Sequence, residues 1–383
     1  MSQVQSVAAP RTRPAPAVAP DLLTAESVTE GHPDKVADFI ADSILDAYLA
    51  ADPAARVAVE VLVKNGFVIV AGEVTAQADI PVERVVRDAI RHVGYLSPDD
   101  PFNAQGVEIR QFLSRQSREI ARGVGNGKRQ GAGDQGLMVG YATSETPALM
   151  PLPIVLAHAL TRQLATARRA REVDWLGPDG KAQVSVSYAD GRPIEVSRIV
   201  VSTQHQRGVE RATLEAWVRD ALLPAALKQW HNPKASVDVN PSGSFVRGGP
   251  SADCGVTGRK IVVDTYGGAA RHGGGAFSGK DPSKVDRSAA YFARWAARQV
   301  LVQGLARRAE VEVAYAIGKA DPIALHVETF GTGDQAAATE LVRSFDFSPA
   351  GIIEQLDLRR PIYRLTTNYG HFGKPGLPWE NGA

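Results

Sequence analysis

The densest chemical signal in the chain is the run Gly273-Gly274-Gly275-Ala276-Phe277-Ser278-Gly279-Lys280-Asp281. Glycines let backbone N–H groups approach an anion, and the lysine beside them supplies charge. From Gly274 the run reads G-x-x-x-x-G-K, the spacing of a phosphate-binding P-loop. The next residue is Asp281, where a P-loop needs Ser or Thr to hold Mg²⁺, so that assignment is disfavoured while the anion chemistry stands. Asp281-Pro282 reads as an N-cap followed by a first-turn proline, opening a helix. Lys284, Asp286 and Arg287 follow closely, and a solvated helix start would carry the same charges.

Other segments hold the same residue types. Gly31-His32-Pro33-Asp34-Lys35 opens a helical pattern. A helix N-terminus offers free N–H groups and positive potential to a phosphate. His32 can donate to a phosphate oxygen, and Asp34 is a hard oxygen ligand suited to Mg²⁺; a plain capping turn is the alternative. Gly131-Ala132-Gly133-Asp134-Gln135-Gly136 is a glycine-rich run with one acid, equally a turn or a ligand loop. Pro178-Asp179-Gly180-Lys181 has the composition of an ordinary turn. Asp253 and the pair Arg259-Lys260 flank a β-like run, Lys260 to Thr265. Glu60 and Glu73 interrupt apolar alternation. On a buried face they need a cation or donors; on a polar outer face they need nothing. The single cysteine, Cys254, has no histidine close in sequence and reads as a small packing residue.

The elements that must position these groups recur. Pro33 to Leu49 has helical apolar spacing, Val57 to Val63 and Phe67 to Val74 alternate around Asn65-Gly66, and Pro81 to Val93 is helical again. The order returns as a helix at Pro151 to Ala167, strands at Val184 to Tyr188 and Ile194 to Thr203, and a helix at Glu210 to Leu227. It returns once more as a helix at Pro282 to Leu305, strands at Val311 to Ala316 and Ile323 to Thr329, and a helix at Gln335 to Phe345. Helix, hairpin, helix in three copies predicts three related α+β domains with pseudo-threefold symmetry, each a helix-covered, mostly antiparallel sheet. The expected division is a disordered tail over 1–20, an N-terminal domain over 21–120, a mobile loop or linker over 121–130, a central domain over 131–247 and a C-terminal domain over 248–383.

The 383 residues suffice for two or three domains, and 44% apolar with 22% charged residues are globular values. A formal net charge of +1 supplies no whole-protein field toward nucleic acid or an acidic membrane. One cysteine suits a reducing compartment. Residues 1–20 lack the apolar block of a secretory signal. No stretch approaches the ~20 apolar residues that span a bilayer. A cytoplasmic enzyme is expected.

Taken together and in order, Glu30-Gly31-His32-Pro33-Asp34-Lys35, the 131–136 run, Asp264-Thr265-Tyr266-Gly267-Gly268 and the 273–281 run resemble the S-adenosylmethionine synthetases (methionine adenosyltransferases), from about Leu22 to Glu380. The resemblance implies a transferase that makes S-adenosylmethionine from ATP and L-methionine and then hydrolyses the triphosphate. It implies a homodimer or homotetramer with active sites between subunits, two Mg²⁺ per site, and K⁺. By position, His32, Lys181, Arg259, Lys260 and Lys280 would hold the triphosphate, with His32, Lys181, Arg259 and Lys280 catalytic. Asp179, Ser244, Phe245, Asp253 and Ala276 fall at ATP-binding positions, Phe245 stacking on adenine. Glu73, Gln116, Asp253 and Lys284 fall at methionine-binding positions. Asp34 and Asp286 would be Mg²⁺ ligands and Glu60 the K⁺ ligand.

Two departures stand out. The active-site loop of the family usually reads Gln-Ser-Pro-Asp-Ile, and here it is Gln116-Ser117-Arg118-Glu119-Ile120. Ser244 stands where many relatives carry arginine, removing one cationic contact. The implied chemistry fits the residue inventory. A thioether sulfur has no proton to lose, so attack on C5′ of ATP needs no general base, and the chain shows no nucleophilic triad pattern. It needs alignment, worth roughly 7–11 kcal/mol, and cations around the departing triphosphate.

Overall fold

The computed structural model describes residues 21–115 and 130–381. The 1–20 tail, Gln116 and nearly all of the 121–130 linker lie outside the described residues. Three sheets form the frame. β2 (Arg56–Lys64) and β3 (Phe67–Thr75) make one antiparallel hairpin, β6 (Leu176–Ala189) and β7 (Arg192–His205) a second, and β10 (Arg308–Tyr315) and β11 (Ala324–Glu328) a third. The helices α1 (Pro33–Ala51), α3 (Leu152–Ala170) and α7 (Val285–Val302) precede these hairpins. The helices α2 (Val82–Val93), α4 (Arg211–Trp217), α5 (Leu223–Leu227) and α8 (Gln335–Arg343) follow them. A π-turn over Val218–Leu222 joins α4 to α5, and a further helix, α9, runs over Pro349–Gln355. The fold is therefore the expected antiparallel-rich α+β repeat, with β4 (Glu108–Ser114) parallel to β3 and β8 (Ser236–Val239) parallel to β7.

The sheets are interlocked by exchange. β1 (Asp21–Val28) pairs with β6 along its whole length. β5 (Gly136–Thr143) pairs with β10. The two-residue β9 (Gly255–Val256) pairs with β2. Each third of the chain thus lends a strand to the sheet of another third, in a closed cycle. Backbone groups that would have left an unpaired edge find partners far away in sequence. One apolar core joins the 36–107 and 266–379 regions, and a second lies between β6/β7 and α3, α4 and α5.

In β2, Val57, Val59, Val61 and Val63 face the core, while Ala58, Glu60 and Leu62 turn outward. Glu73 sits opposite Ala58 in register, on the same outer face. Both glutamates are exposed within one chain, so the polar-outer-face alternative describes them there. That face also bears Phe67, 44% exposed, and Phe112 on β4, 63% exposed.

Three local expectations are overturned. Pro178 to Lys181 is no turn but part of strand β6, with Gly180 and Lys181 in register with Thr203 and Ser202 of β7. Lys260 to Thr265 is no strand: Ile261–Asp264 forms a short helix, α6, with Asp264 N–H donating to Lys260 O at 2.8 Å. Its β-branched residues are overridden by packing, as Val263 and Asp264 are buried. Asp281-Pro282 does not open α7, which begins at Val285 after Lys284. Asp281 is buried and accepts from Val57 N at 2.7 Å and Ser283 N at 2.8 Å, so it ties the loop to β2. Among the described residues no helix is long and apolar enough to cross a membrane.

Candidate functional site

The N-terminus of α1 is the centre of one charged group. Gly31 lies so close to the β6 strand that a Cβ there would sit 2.3 Å from Pro178 O, which is why only glycine fits. This contact sets β6 against the start of α1, where the Lys181 charge acts on His32. His32 is the N-cap and its Nδ1 accepts from Asp34 N at 3.2 Å, leaving Nε2 to carry the proton of the neutral ring. Burial, then the charge of Lys260, lowers its pKa to about 3, Asp34 opposing and Lys181 adding to the shift. Asp34 Oδ2 lies 2.5 Å from Lys260 Nζ, and Arg259 NH1 is 3.6 Å from Oδ1. Burial raises the Asp34 carboxyl, but the Lys260 hydrogen bond, the Val256 N–H and the Lys260 charge outweigh it, so its pKa is lowered.

Asp179 is buried and accepts from Gly249 N at 2.8 Å. Burial pushes its carboxyl up to about 6 against the pull of the Gly249 and Gly180 N–H groups, with Asp253 raising it further. Asp253 is exposed nearby. Lys181 pairs with Glu26 of β1 at 3.3 Å. Ala276 packs against Gly258, its Cβ standing 2.5 Å from where a Cβ on Gly258 would be. Ser244 is exposed and Phe245 half-buried, with the Phe245 main chain held by His205 at the end of β7.

A second group lies along β2. The glycine loop does not cradle a helix N-terminus as a P-loop would. It runs beside β2, with Gly279 O accepting from Val59 N at 3.0 Å and Lys280 bridging to Ala58. Gly279, at φ +81°, allows this approach, since a Cβ would fall 1.9 Å from Val59 O. Lys280 Nζ lies 2.6 Å from Asp286 Oδ2. Lys284 pairs with Asp281. Burial raises the Glu60 carboxyl while the Lys280 charge pulls it down. Glu73 is flanked in register by Ala58 and Ser114. Among the described residues no hydrogen bond or ion pair joins the charged side chains of the two groups. Gln116 lies outside the described residues.

What sequence reasoning missed is the device that positions both groups. Asp34, Asp38, Asp42 and Asp46 recur every fourth residue on one face of α1. Each accepts main-chain N–H groups from the C-terminal third: Val256 at 3.0 Å, Gly258 at 2.8 Å, Gly279 at 2.8 Å, and Tyr363 and Arg364 at 2.9 Å. Lys35, fully buried, bridges Asp38 at 3.0 Å and Asp264 at 2.6 Å. Arg287, read with the charged helix start, is instead buried and forked onto Asp42 at 2.7 and 2.8 Å. The signal was available: four acids at i+4 spacing in an otherwise apolar helix must face buried donors.

Among the described residues no three His, Cys, Asp or Glu side chains come together as a metal cage. The acids present, Asp34 and Asp286, are single carboxylates beside lysines. That suits a Mg²⁺ bound chiefly through phosphate oxygens with one or two carboxylates, its usual mode.

Comparison with known proteins finds matches along nearly the whole chain. Models of the three domains of S-adenosylmethionine synthetase match in order, the N-terminal domain over residues 21–118, the central domain over 129–245 and the C-terminal domain over 247–381. An S-adenosylmethionine synthase of Akkermansia muciniphila is 52% identical over 377 residues, covering 94% of this chain and 95% of that one. One of Sorangium cellulosum is 52% identical over 366 residues, covering 94% of this chain and 87% of its own.

Proposed function

The chain belongs to the S-adenosylmethionine synthetase family, and on that premise we propose how its residues join the adenosyl group of ATP to L-methionine. A sulfur lone pair forms the bond to C5′, the C5′–O bond breaks, and the triphosphate departs with the electron pair. Water then splits the triphosphate into phosphate and diphosphate. The observation that carries this reading is the convergence of His32, Lys181, Arg259 and Lys260 at one helix N-terminus, a concentration of donors that favours an anion growing in charge.

His32, Lys181, Arg259, Lys260 and Lys280 bind the triphosphate, and His32 donates from Nε2. Phe245 stacks on adenine, with Asp179, Ser244, Asp253 and Ala276 along the nucleotide. Glu73, Gln116, Asp253 and Lys284 hold methionine, and Asp253 or Glu73 faces the positive sulfonium of the product. Asp34 and Asp286 would hold Mg²⁺ and Glu60 K⁺; the bound cations would neutralise the phosphate oxygens.

Two observations support a site shared between subunits. Among the described residues no hydrogen bond or ion pair joins the Lys280, Asp286 and Glu60 side chains to the His32 group, and the outer face of the β2/β3 sheet exposes Phe67 and Phe112 beside Glu60 and Glu73. A homodimer, or a tetramer of two such dimers, would bring one subunit's His32 group to its partner's Lys280 group. A cytoplasmic location and the absence of nucleic-acid partners complete the reading.

The test is incubation with ATP, methionine, Mg²⁺ and K⁺. S-adenosylmethionine with phosphate and diphosphate is the expected outcome. ADP without S-adenosylmethionine would identify a kinase or ATPase instead.

A further inference from the structure

Phe245 sits on a loop without regular hydrogen bonding of its own, between β8 and the turn at Gly249–Ser251. Both of its main-chain groups are nevertheless held, and by one residue. His205 N–H donates to Phe245 O at 3.0 Å, and Phe245 N–H donates to His205 Nε2 at 3.1 Å. The partners fix the tautomer. A main-chain carbonyl, Gln206 O, lies 2.9 Å from Nδ1 and can only accept, so Nδ1 carries the proton and Nε2 offers its lone pair to Phe245. The imidazole is buried, with both nitrogens satisfied.

The preceding residue completes the hold. Gln204 Oε1 accepts from Asp179 N at 3.2 Å, and its Nε2 donates to Val246 O at 3.2 Å. Its amide is wedged between two glycines: a Cβ on Gly177 would lie 2.6 Å from Gln204 Cδ, and one on Gly248 2.8 Å from it. Asp179 closes the loop by accepting from Gly249 N. The strand bearing Asp179 and the loop bearing Phe245 are thereby joined through the last two residues of β7.

We propose that Gln204 and His205 form a clamp that positions the Phe245 main chain, and that His205 is a positioning residue for nucleotide binding which acts through Phe245. This rests on the reading of Phe245 as the adenine platform. Because the clamp sets the geometry of the nucleotide half of the site, its loss falls on ATP binding and spares methionine. The Nε2 lone pair is the functional atom.

Two substitutions separate the two ring nitrogens. Asn at 205 keeps a donor for Gln206 O but ends short of Phe245. Gln at 205 carries a carbonyl to the Nε2 position and can accept from Phe245 N. In the full-length enzyme, His205→Asn should raise KM for ATP about tenfold, the scale of one lost hydrogen bond with its donor left unpaired. KM for methionine should stay within about twofold, and His205→Gln should restore most of the ATP affinity. Thermal midpoints of both variants are measured alongside, since a merely structural residue would lower both KM-independent stability and activity equally in Asn and Gln. Phe245→Ala is the control on the underlying reading. If Phe245→Ala raises KM for ATP and His205→Asn does not, or if Asn and Gln behave alike, the clamp is wrong. If Phe245→Ala itself leaves KM for ATP unmoved, the adenine-platform reading fails and the clamp falls with it.

Discussion

Asp34 and Lys260 lie 2.5 Å apart, carboxylate to ammonium, at the N-terminus of α1. Lys280 and Asp286 repeat the arrangement at 2.6 Å along β2. In each pair the acid read as a metal ligand neutralises the lysine read as a phosphate holder. A metal–polyphosphate complex brings both charges at once, so each pair can exchange its internal partner for an external one of opposite sign. An arriving anion alone would have to compete with the carboxylate. This relationship predicts that nucleotide and divalent cation bind interdependently. Asp34→Asn should shift the Mg²⁺ titration of activity to higher concentration, because one hard oxygen ligand is replaced by a weaker amide. Titration curves that superimpose for variant and parent would remove Asp34 from the metal site.

Lys280→Ala should lower kcat by on the order of 10²–10³, the scale of one charge-stabilising donor lost from a developing anion. The side chain is partly exposed, and the loop is held by main-chain bonds through Gly279 and Asp281 rather than by Nζ. The fold should therefore persist, with an unchanged circular-dichroism spectrum. Parent-like kcat and KM would place Lys280 outside the reaction.

The repeat was legible because periodicity reports local burial. α1, the β2/β3 hairpin around Asn65-Gly66 and the helix at Leu152–Ala170 lie within a few residues of their expected places. What stayed hidden depends on distant partners. β1 and β5 are strands because β6 and β10 lie alongside them, and β9 is two residues long. Ile261–Asp264 has strand-like composition yet turns as a helix whose Asp264 carboxylate meets buried Lys35. The site shows the same division. Glycine-containing runs pointed to His32 and Lys280 locally, whereas Lys181, in a segment that read as an ordinary turn, entered only through the family resemblance. Gln204 and His205 sit at the end of an ordinary alternating strand, and nothing nearby in sequence points to Phe245 some forty residues on.

Asp42 and Arg287 form an ion pair deep in the interior. Both side chains have no exposure to solvent, and Asp42 also accepts from Gly279 N and Thr367 Oγ1. Asp42→Ala leaves a guanidinium buried without its counter-charge, which typically costs about 3–5 kcal/mol. A markedly lower denaturant midpoint is expected. Pairing Asp42→Leu with Arg287→Met should recover part of that loss, since an apolar pair avoids the desolvation of both charges. A double variant no more stable than Asp42→Ala would show that the network around Gly279 matters more than the charge balance.

Asp46 ends the acid ladder and, among the described residues, has no ion-pair partner. It accepts from Tyr363 N and Arg364 N, both at 2.9 Å, while burial raises its pKa from 3.8 to about 6. The sign follows from proton counting. Between the unfolded value near 3.8 and the folded value near 6, the native chain binds the extra proton. Stability contributed by this group is therefore present below about pH 4, is lost as pH rises toward about 6, and stays lost above it. A shift of that size corresponds to roughly 3 kcal/mol at most, since one pKa unit is about 1.4 kcal/mol. Asp46→Asn removes the titrating group, and one amide donor then faces a main-chain N–H, so its stability is lower at acid pH. Urea midpoints for both proteins between about pH 4 and pH 7 should converge as pH rises, because only the parent pays for ionising a buried carboxyl. A parallel offset across that range would mean that the 363–364 amide groups hold Asp46 ionised throughout.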